Sequence, residues 1–206
     1  MGPITKALIG ANVAVFALQN VLGDVLVAEF ALWPFGLYPV SGGGSVGFQP
    51  WQLVTSAFLH ASPTHIGLNM LALWMFGRDV EHALGASRYF TLYTAAVVTA
   101  ALTQLVVVST ASAGAVYPTV GASGGVFGLL LAFGTIFPRR TVMLLFPPIP
   151  MPARVFVFVY GAIELVNGVL GTTQGVAHFA HLGGMLGAWV VLARWRARSA
   201  SSRGAP

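Results

Sequence analysis

Apolar residues fall in six blocks along the chain, at residues 4–27, 65–76, 89–108, 121–137, 155–170 and 176–195. Blocks of this length, broken by short polar joints, read as membrane-spanning helices. The second block continues as helix through Glu81 to Leu84. The second and fourth are short against a hydrocarbon core of about 30 Å, at a rise of about 1.5 Å per residue. The first block opens with Pro3 and Lys6 and carries no small-residue cleavage signal, so it reads as a retained helix rather than a signal peptide.

The joints test this count. If every block spans, they fall alternately on two sides of a membrane. One side then receives Lys6, Arg78, Arg88, Arg139, Arg140, Arg154, Arg194, Arg196, Arg198 and Arg203, which are all 10 basic residues. The other side receives residues 28–64, 109–120 and 171–175, with neither Lys nor Arg. A wrong count would scatter the charges. The positive-inside rule then puts both termini in the cytoplasm.

The joint at 28–64 is too long for a turn and too apolar for a solvated linker. Trp33, Phe35, Tyr38, Phe48 and Trp51 flank Gly42-Gly43-Gly44, and such aromatics favour the headgroup layer. It reads as a loop embedded in the outer leaflet. The expected fold is an all-α, six-transmembrane-helix bundle formed by residues 1–198 as one domain. Residues 199–206 form a small polar tail, expected to be disordered. No internal repeat points to a two-halved transporter.

Composition agrees. Of 206 residues, 56% are hydrophobic and 7% charged, against about 25% charged in a soluble domain. The mean hydropathy is +0.81. Charges this sparse cannot cover a water-facing surface, so an integral membrane protein in a lipid bilayer is implied. The absence of cysteine excludes disulfides and thiolate metal sites. Nucleic-acid binding would need a clustered basic face on a soluble scaffold, and there is none.

Ionisable and polar residues inside a membrane each need an explanation. The candidates are His65, Asn69, Ser123, Glu164, His178 and His181. Blocks two, four and six all begin on the side without basic residues. His65 and Asn69 share one face of block two by their i,i+4 spacing, and Ser123 lies in the first turn of block four. His181 lies about 9 Å into block six by helical rise. Four polar residues from three helices thus converge at one depth.

Each also has a plain reading. Ser123 sits among Gly121, Gly124, Gly125 and Gly128, which form small-xxx-small pairs suited to helix packing. The same glycines would let backbones crowd round a nucleophile at a helix N-terminus, where free N–H groups suit a developing oxyanion. His181 and His178 are rival general bases, and spacing does not choose between them. Glu164 could orient a histidine, but a protonated or locally hydrogen-bonded carboxyl inside block five is the simpler reading, leaving a serine–histidine dyad. His65 and Asn69 make a poor zinc half-site, lacking a thiolate or nearby carboxylate, and instead offer N–H donors. No metal or other cofactor is expected.

In chain order these pieces are Trp51-x-x-x-Thr55-x-x-Phe58-x-His60, His65-x-x-x-Asn69, Gly77-Arg-Asp-Val-Glu81 with Gly85, Gly121-Ala-Ser-Gly124 and Ala180-His-Leu-Gly-Gly184. Together they resemble the rhomboid family of intramembrane serine proteases, in the minimal six-helix bacterial form. The resemblance implies Ser123 as nucleophile and His181 as base, because Gly184 stands three residues after His181. It implies an oxyanion site of His65, Asn69 and the Ser123 amide, and transmembrane proteins as substrates. It also implies that helix five gates lateral substrate entry. Three positions depart from the family pattern. Gln52 replaces a frequent Arg, which is expected to cost a loop contact. Phe127 replaces a common Tyr, and Ala188 a usual Gly, which is expected to widen the helix four–six contact slightly. The competing functions are a non-catalytic membrane-protein chaperone on the same scaffold and a proton-coupled transporter using His178, His181 and Glu164. The apolar basic-side halves of the blocks count against the transporter.

Overall fold

The computed structural model describes residues 1–39, 43–110, 117–143, 148–170 and 177–201. Among them the six expected spans appear as helices. They are α1 (Pro3–Leu22), a continuous rod of α4 (Pro63–Ala72), a π-helical turn (Leu73–Gly77) and α5 (Arg78–Leu84), then α6 (Ala86–Thr110), α7 (Ser123–Ile136), α8 (Ala153–Leu170) and α9 (His178–Ser201). The helices α1, α6 and α8 are long and apolar enough to cross a membrane, and α7 is a shorter apolar helix.

The first block ends earlier than the hydropathy implies. Gly23 takes φ 58 and breaks the helix, and a short α2 (Asp24–Phe30) follows. At the other end α9 runs through Ser201, so residues 199–201 of the expected tail are helical. Residues 202–206 lie outside the described residues, as do Gly42 and Gln174.

The helices α6, α7 and α9 form the central packed trio, with α8 laid against α7 and α9. Glycines make this possible. A methyl group at Gly184 would collide with the Gly124 carbonyl, and one at Gly124 with the Ala100 side chain. Ala188 is fully buried in this contact. A methyl added at Gly128 would collide with the Ala96 Cβ and lie 3.1 Å from the Gly184 carbonyl oxygen, with the Ala188 Cβ next at 3.4 Å. Tyr89, Leu92, Leu129 and Ala132 are wholly buried in the same core. By contrast α1 and α8 expose apolar side chains such as Val21, Phe158 and Val169, as helices facing lipid should.

The two ends of the bundle match the charge pattern. At one end Glu81 accepts hydrogen bonds from the N–H groups of Ile4 and Thr5 and from the Thr5 hydroxyl. There too Arg140 pairs with Asp79 at 2.8 Å, and Arg88 lies over the Trp195 ring. The basic ends of five spans therefore meet on one side.

At the opposite end the long loop is tied down backbone by backbone. It holds a small antiparallel hairpin, β1 (Tyr38–Pro39) with β2 (Ser45–Val46), and a helical turn, α3 (Gln52–Thr55). Leu32 and Thr119 exchange backbone hydrogen bonds of 3.0 and 2.9 Å. The Trp51 and Trp33 indoles donate to carbonyls of residues 27–29. Phe35, Leu37 and Trp51 remain exposed, an apolar rim consistent with a loop set in the bilayer interface. Gln52 does not forfeit a contact. Its Oε1 accepts from the Trp33 and Gln49 N–H groups, and its Nε2 donates to the Glu29 and Gly47 carbonyls. A second hairpin, β3 (Thr141–Met143) with β4 (Pro150–Pro152), joins α7 to α8 and carries no sequence periodicity that would reveal it.

Candidate active site

Ser62 and Pro63 start α4 in a manner legible from sequence. The Ser62 hydroxyl accepts from the His65 N–H, and Pro63 occupies the first helical position. This cap fixes His65 one turn in, with Asn69 one turn deeper. Ser123 is the first residue of α7. Its approach depends on Gly121, which has φ +128, a conformation glycine adopts and other residues resist. A methyl at Gly121 would also lie 2.8 Å from His65 Nε2, so the glycine lets the histidine reach the head of α7.

His181 Nε2 lies 2.8 Å from Ser123 Oγ. The Phe127 ring stacks on the imidazole at 4.2 Å and 5°, so the phenylalanine still packs an aromatic face on His181. His65 Nδ1 accepts from the Ala61 N–H at 3.4 Å, which leaves Nε2 to carry the proton and face the Gly121–Ser123 turn. Asn69 Nδ2 donates to the His65 carbonyl at 3.0 Å, using one of its two N–H bonds. His65, Asn69, Ser123 and His181 all line one cavity of about 680 Å³, which extends down between α4 and α8 past Met75 and Phe156. The four candidates named from sequence are thus brought together.

The structure adds members to this set. Glu164 Oε2 sits 2.7 Å from His178 Nδ1 and 2.8 Å from His181 Nδ1. All three residues are buried. The Glu164–His178 contact is an aligned hydrogen bond, whereas the His181 contact lies off the N–H direction. Of the simpler sequence readings of Glu164, a carboxyl bonded within its own helix does not hold, because its partners are on α9. A signal existed: Glu164 stands about as far before the middle of the joint at 171–175 as His181 stands after it, which puts the two at similar depth. Glu164, His178 and His181 offer ligand atoms all within 4.8 Å of one another, the one described group of this kind able to hold a metal ion. Each of those contacts is also what protons alone produce between a carboxylate and two imidazoles.

His60 backs the site. Its buried ring packs edge-on to His65 at 5.0 Å. Burial, with the neighbouring His65, lowers its pKa to about 4 against a weaker opposing hydrogen bond at Phe58. His60 is therefore neutral at physiological pH and adds no charge beside Ser123. Chemically the arrangement can transfer the Ser123 proton to His181 and offer N–H donors to a negative oxygen, the requirements of acyl transfer.

Comparison with known proteins agrees with the residue pattern. The family model described as "Rhomboid domain" matches residues 47–197. The chain is 34% identical over 183 residues to "Rhomboid protein 1, mitochondrial" of Saccharomyces cerevisiae, covering 89% of this chain and 50% of that protein. It is 30% identical over 203 residues to "Rhomboid protease GlpG" of Serratia proteamaculans, covering 96% of this chain and 64% of the relative. Against "Rhomboid protease GluP" of Bacillus subtilis it is 29% identical over 144 residues, covering 69% and 25%. The chain thus spans less than two thirds of the length of each of these relatives. With a matched domain over most of its length, and the motifs in order on the helices that carry them, the chain belongs to the rhomboid family of integral membrane proteins.

Proposed function

We propose that the protein is an intramembrane serine endopeptidase that hydrolyses a peptide bond in or near the transmembrane segment of a substrate membrane protein. The observation that carries this reading is the 2.8 Å contact between Ser123 Oγ and His181 Nε2 at the head of α7, inside a cavity that also holds His65 and Asn69. Ser123 Oγ attacks the scissile carbonyl carbon as its proton passes to His181 Nε2. The carbonyl oxygen becomes an oxyanion, held by the Ser123 N–H, His65 Nε2–H and Asn69. The C–N bond then breaks, the departing amine takes the proton from His181, and an acyl-enzyme remains. Water, activated by the same imidazole, attacks the ester and releases the second fragment. Ser62, in sequence between the cavity-lining Ala61 and His65, is the polar group we assign to contact incoming water.

The site lies at the end of the bundle away from the basic residues. By the positive-inside rule that end faces out of the cytoplasm, both termini face in, and cleavage falls near the outer end of the substrate helix. A bacterial inner membrane is the location proposed. The relatives named as rhomboid proteases support the same chemistry. Helix α8 packs on α7 and α9 alone among its larger contacts and flanks the cavity through Phe156 and Tyr160, which supports lateral entry of a substrate helix between α4 and α8.

The test uses purified protein in detergent with a transmembrane reporter. Wild type cleaves the reporter and is labelled at Ser123 by a fluorophosphonate. Ser123→Ala and His181→Ala each abolish cleavage while the thermal unfolding transition persists. A wild type that neither cleaves any transmembrane reporter nor reacts at Ser123 would overturn the proposal.

A further inference from the structure

We propose that Glu164 is a positioning residue for His181, itself held by His178, so that the site operates as a serine–histidine–glutamate array with a second histidine on the same carboxylate oxygen. This rests on the serine-protease reading above and deepens it.

The argument begins with cost. A buried carboxylate costs several kcal/mol unless it is paired and hydrogen-bonded. Glu164 is 8% exposed, as is His181, and His178 is 7% exposed. A tie between α8 and α9 alone would be complete with the aligned 2.7 Å bond from His178 Nδ1. The same oxygen is nevertheless also 2.8 Å from His181 Nδ1. Apart from that contact Nδ1 has no hydrogen-bond partner among the described residues. The carboxylate is therefore the acceptor available to the δ nitrogen of the base.

Tautomer follows from this placement. A carboxylate only accepts, so both histidines carry their proton on Nδ1. His181 Nε2 is then left bare, and that is the atom facing Ser123 Oγ at 2.8 Å. Without the acid, nothing else among the described residues meets Nδ1 to select this tautomer over its inactive counterpart. When Ser123 attacks, His181 gains a second N–H and a positive charge, with Glu164 already beside it. The carboxylate steadies that charge without taking the proton, as the orienting acid does in other serine hydrolases. The off-axis resting contact is the kind of hydrogen bond that tightens as charge develops. His178, donating to the same oxygen, stops the carboxylate from swinging away.

The test separates this role from packing. Glu164→Gln keeps the shape but removes the charge, and its N–H can impose the wrong tautomer. In folded protein it lowers kcat about 10²–10⁴-fold with KM within about twofold, and fluorophosphonate labelling of Ser123 slows by the same factor. His178 gives an independent arm should Glu164→Gln fail to fold. Asn places an N–H near the histidine Nδ1 position, so His178→Asn stays within about threefold of wild type, whereas His178→Leu loses about tenfold or more. A folded Glu164→Gln with wild-type kcat and labelling, or equal losses in His178→Asn and His178→Leu, overturns the positioning role and leaves the protease reading intact. A wild type that fails to label at Ser123 overturns both.

Discussion

The glycine contact between α7 and α9 invites the sharpest perturbation, Gly184→Ala. Gly184 lies one turn beyond His181, and the backbone opposite it is Gly124, the neighbour of Ser123. The added methyl would collide with the Gly124 carbonyl oxygen. Its next neighbour, the Gly124 carbonyl carbon, would sit at 2.8 Å, against an ordinary contact of about 3.5–4.0 Å, so the helices must part by about 1 Å. Both partners are main chain, so no side chain can swing aside to absorb the strain. Carried one turn along, that separation takes the Ser123–His181 contact from 2.8 Å to about 3.8 Å, beyond hydrogen-bonding range. A misplacement of about 1 Å costs on the order of 10²-fold in rate, while overpacking of this size costs about 1–3 kcal/mol of stability. Gly184→Ala therefore remains folded in detergent but loses about 10²-fold in kcat on a transmembrane reporter, with KM little changed because the cavity wall between α4 and α8 is not altered. Gly10→Ala is the control: nothing lies within 4 Å of its added carbon, so cleavage is unchanged. A folded Gly184→Ala that cleaves at the wild-type rate would show that helix spacing does not set the Ser123–His181 geometry, and the argument would fail.

Other residues give separate readouts. Gln52→Arg cannot accept, so the Trp33 and Gln49 N–H groups lose their acceptor, and thermal unfolding should register a loss of about 1–3 kcal/mol. Burial raises the Glu81 carboxyl pKa, but bonds from the Thr5 hydroxyl and the Thr5 and Ile4 N–H groups outweigh it, with help from the N-terminal charge, and the net value falls. A folded-state value below the unfolded one makes its contribution full above about pH 4.5 and progressively lost as acid protonates the folded carboxylate. Wild type should accordingly lose stability relative to Glu81→Gln as pH is lowered from about 5 to 3 in denaturant titrations. His65→Ala, which removes the Nε2–H donor at the serine turn, should lower kcat by about 10²–10³-fold. Asn69→Ala should cost less, since one of its N–H bonds is spent on the His65 carbonyl, and a larger loss there than at His65 would refute this assignment.

Much of this architecture is legible without coordinates because a bilayer imposes two one-dimensional rules, apolar length and charge sidedness, and both are readable along a chain. They locate six spans and the common depth of His65, Asn69, Ser123 and His181. What they lack is azimuth. Depth follows from a fixed rise per residue, but the direction a side chain faces depends on which helix packs where. Glu164 was at a plausible depth and still looked local, because only the packing of α8 on α9 turns it toward His178 and His181. Gln52 failed differently. Comparing residue types counts a missing guanidinium as a loss, yet an amide both donates and accepts, and the backbone around it here presents two N–H groups and two carbonyls. No arginine could satisfy that set. The short hairpins escaped for a third reason, since strands of two or three residues are too brief to show alternation. The glycines join these levels. As a sequence pattern, Gly121–Gly128 is adequately explained by helix packing, and that packing draws the α7 and α9 backbones close enough to set Ser123 against His181. A catalytic reading of the serine is therefore a consequence of the packing reading, which is why one methyl group three residues from the base is expected to be felt at the nucleophile.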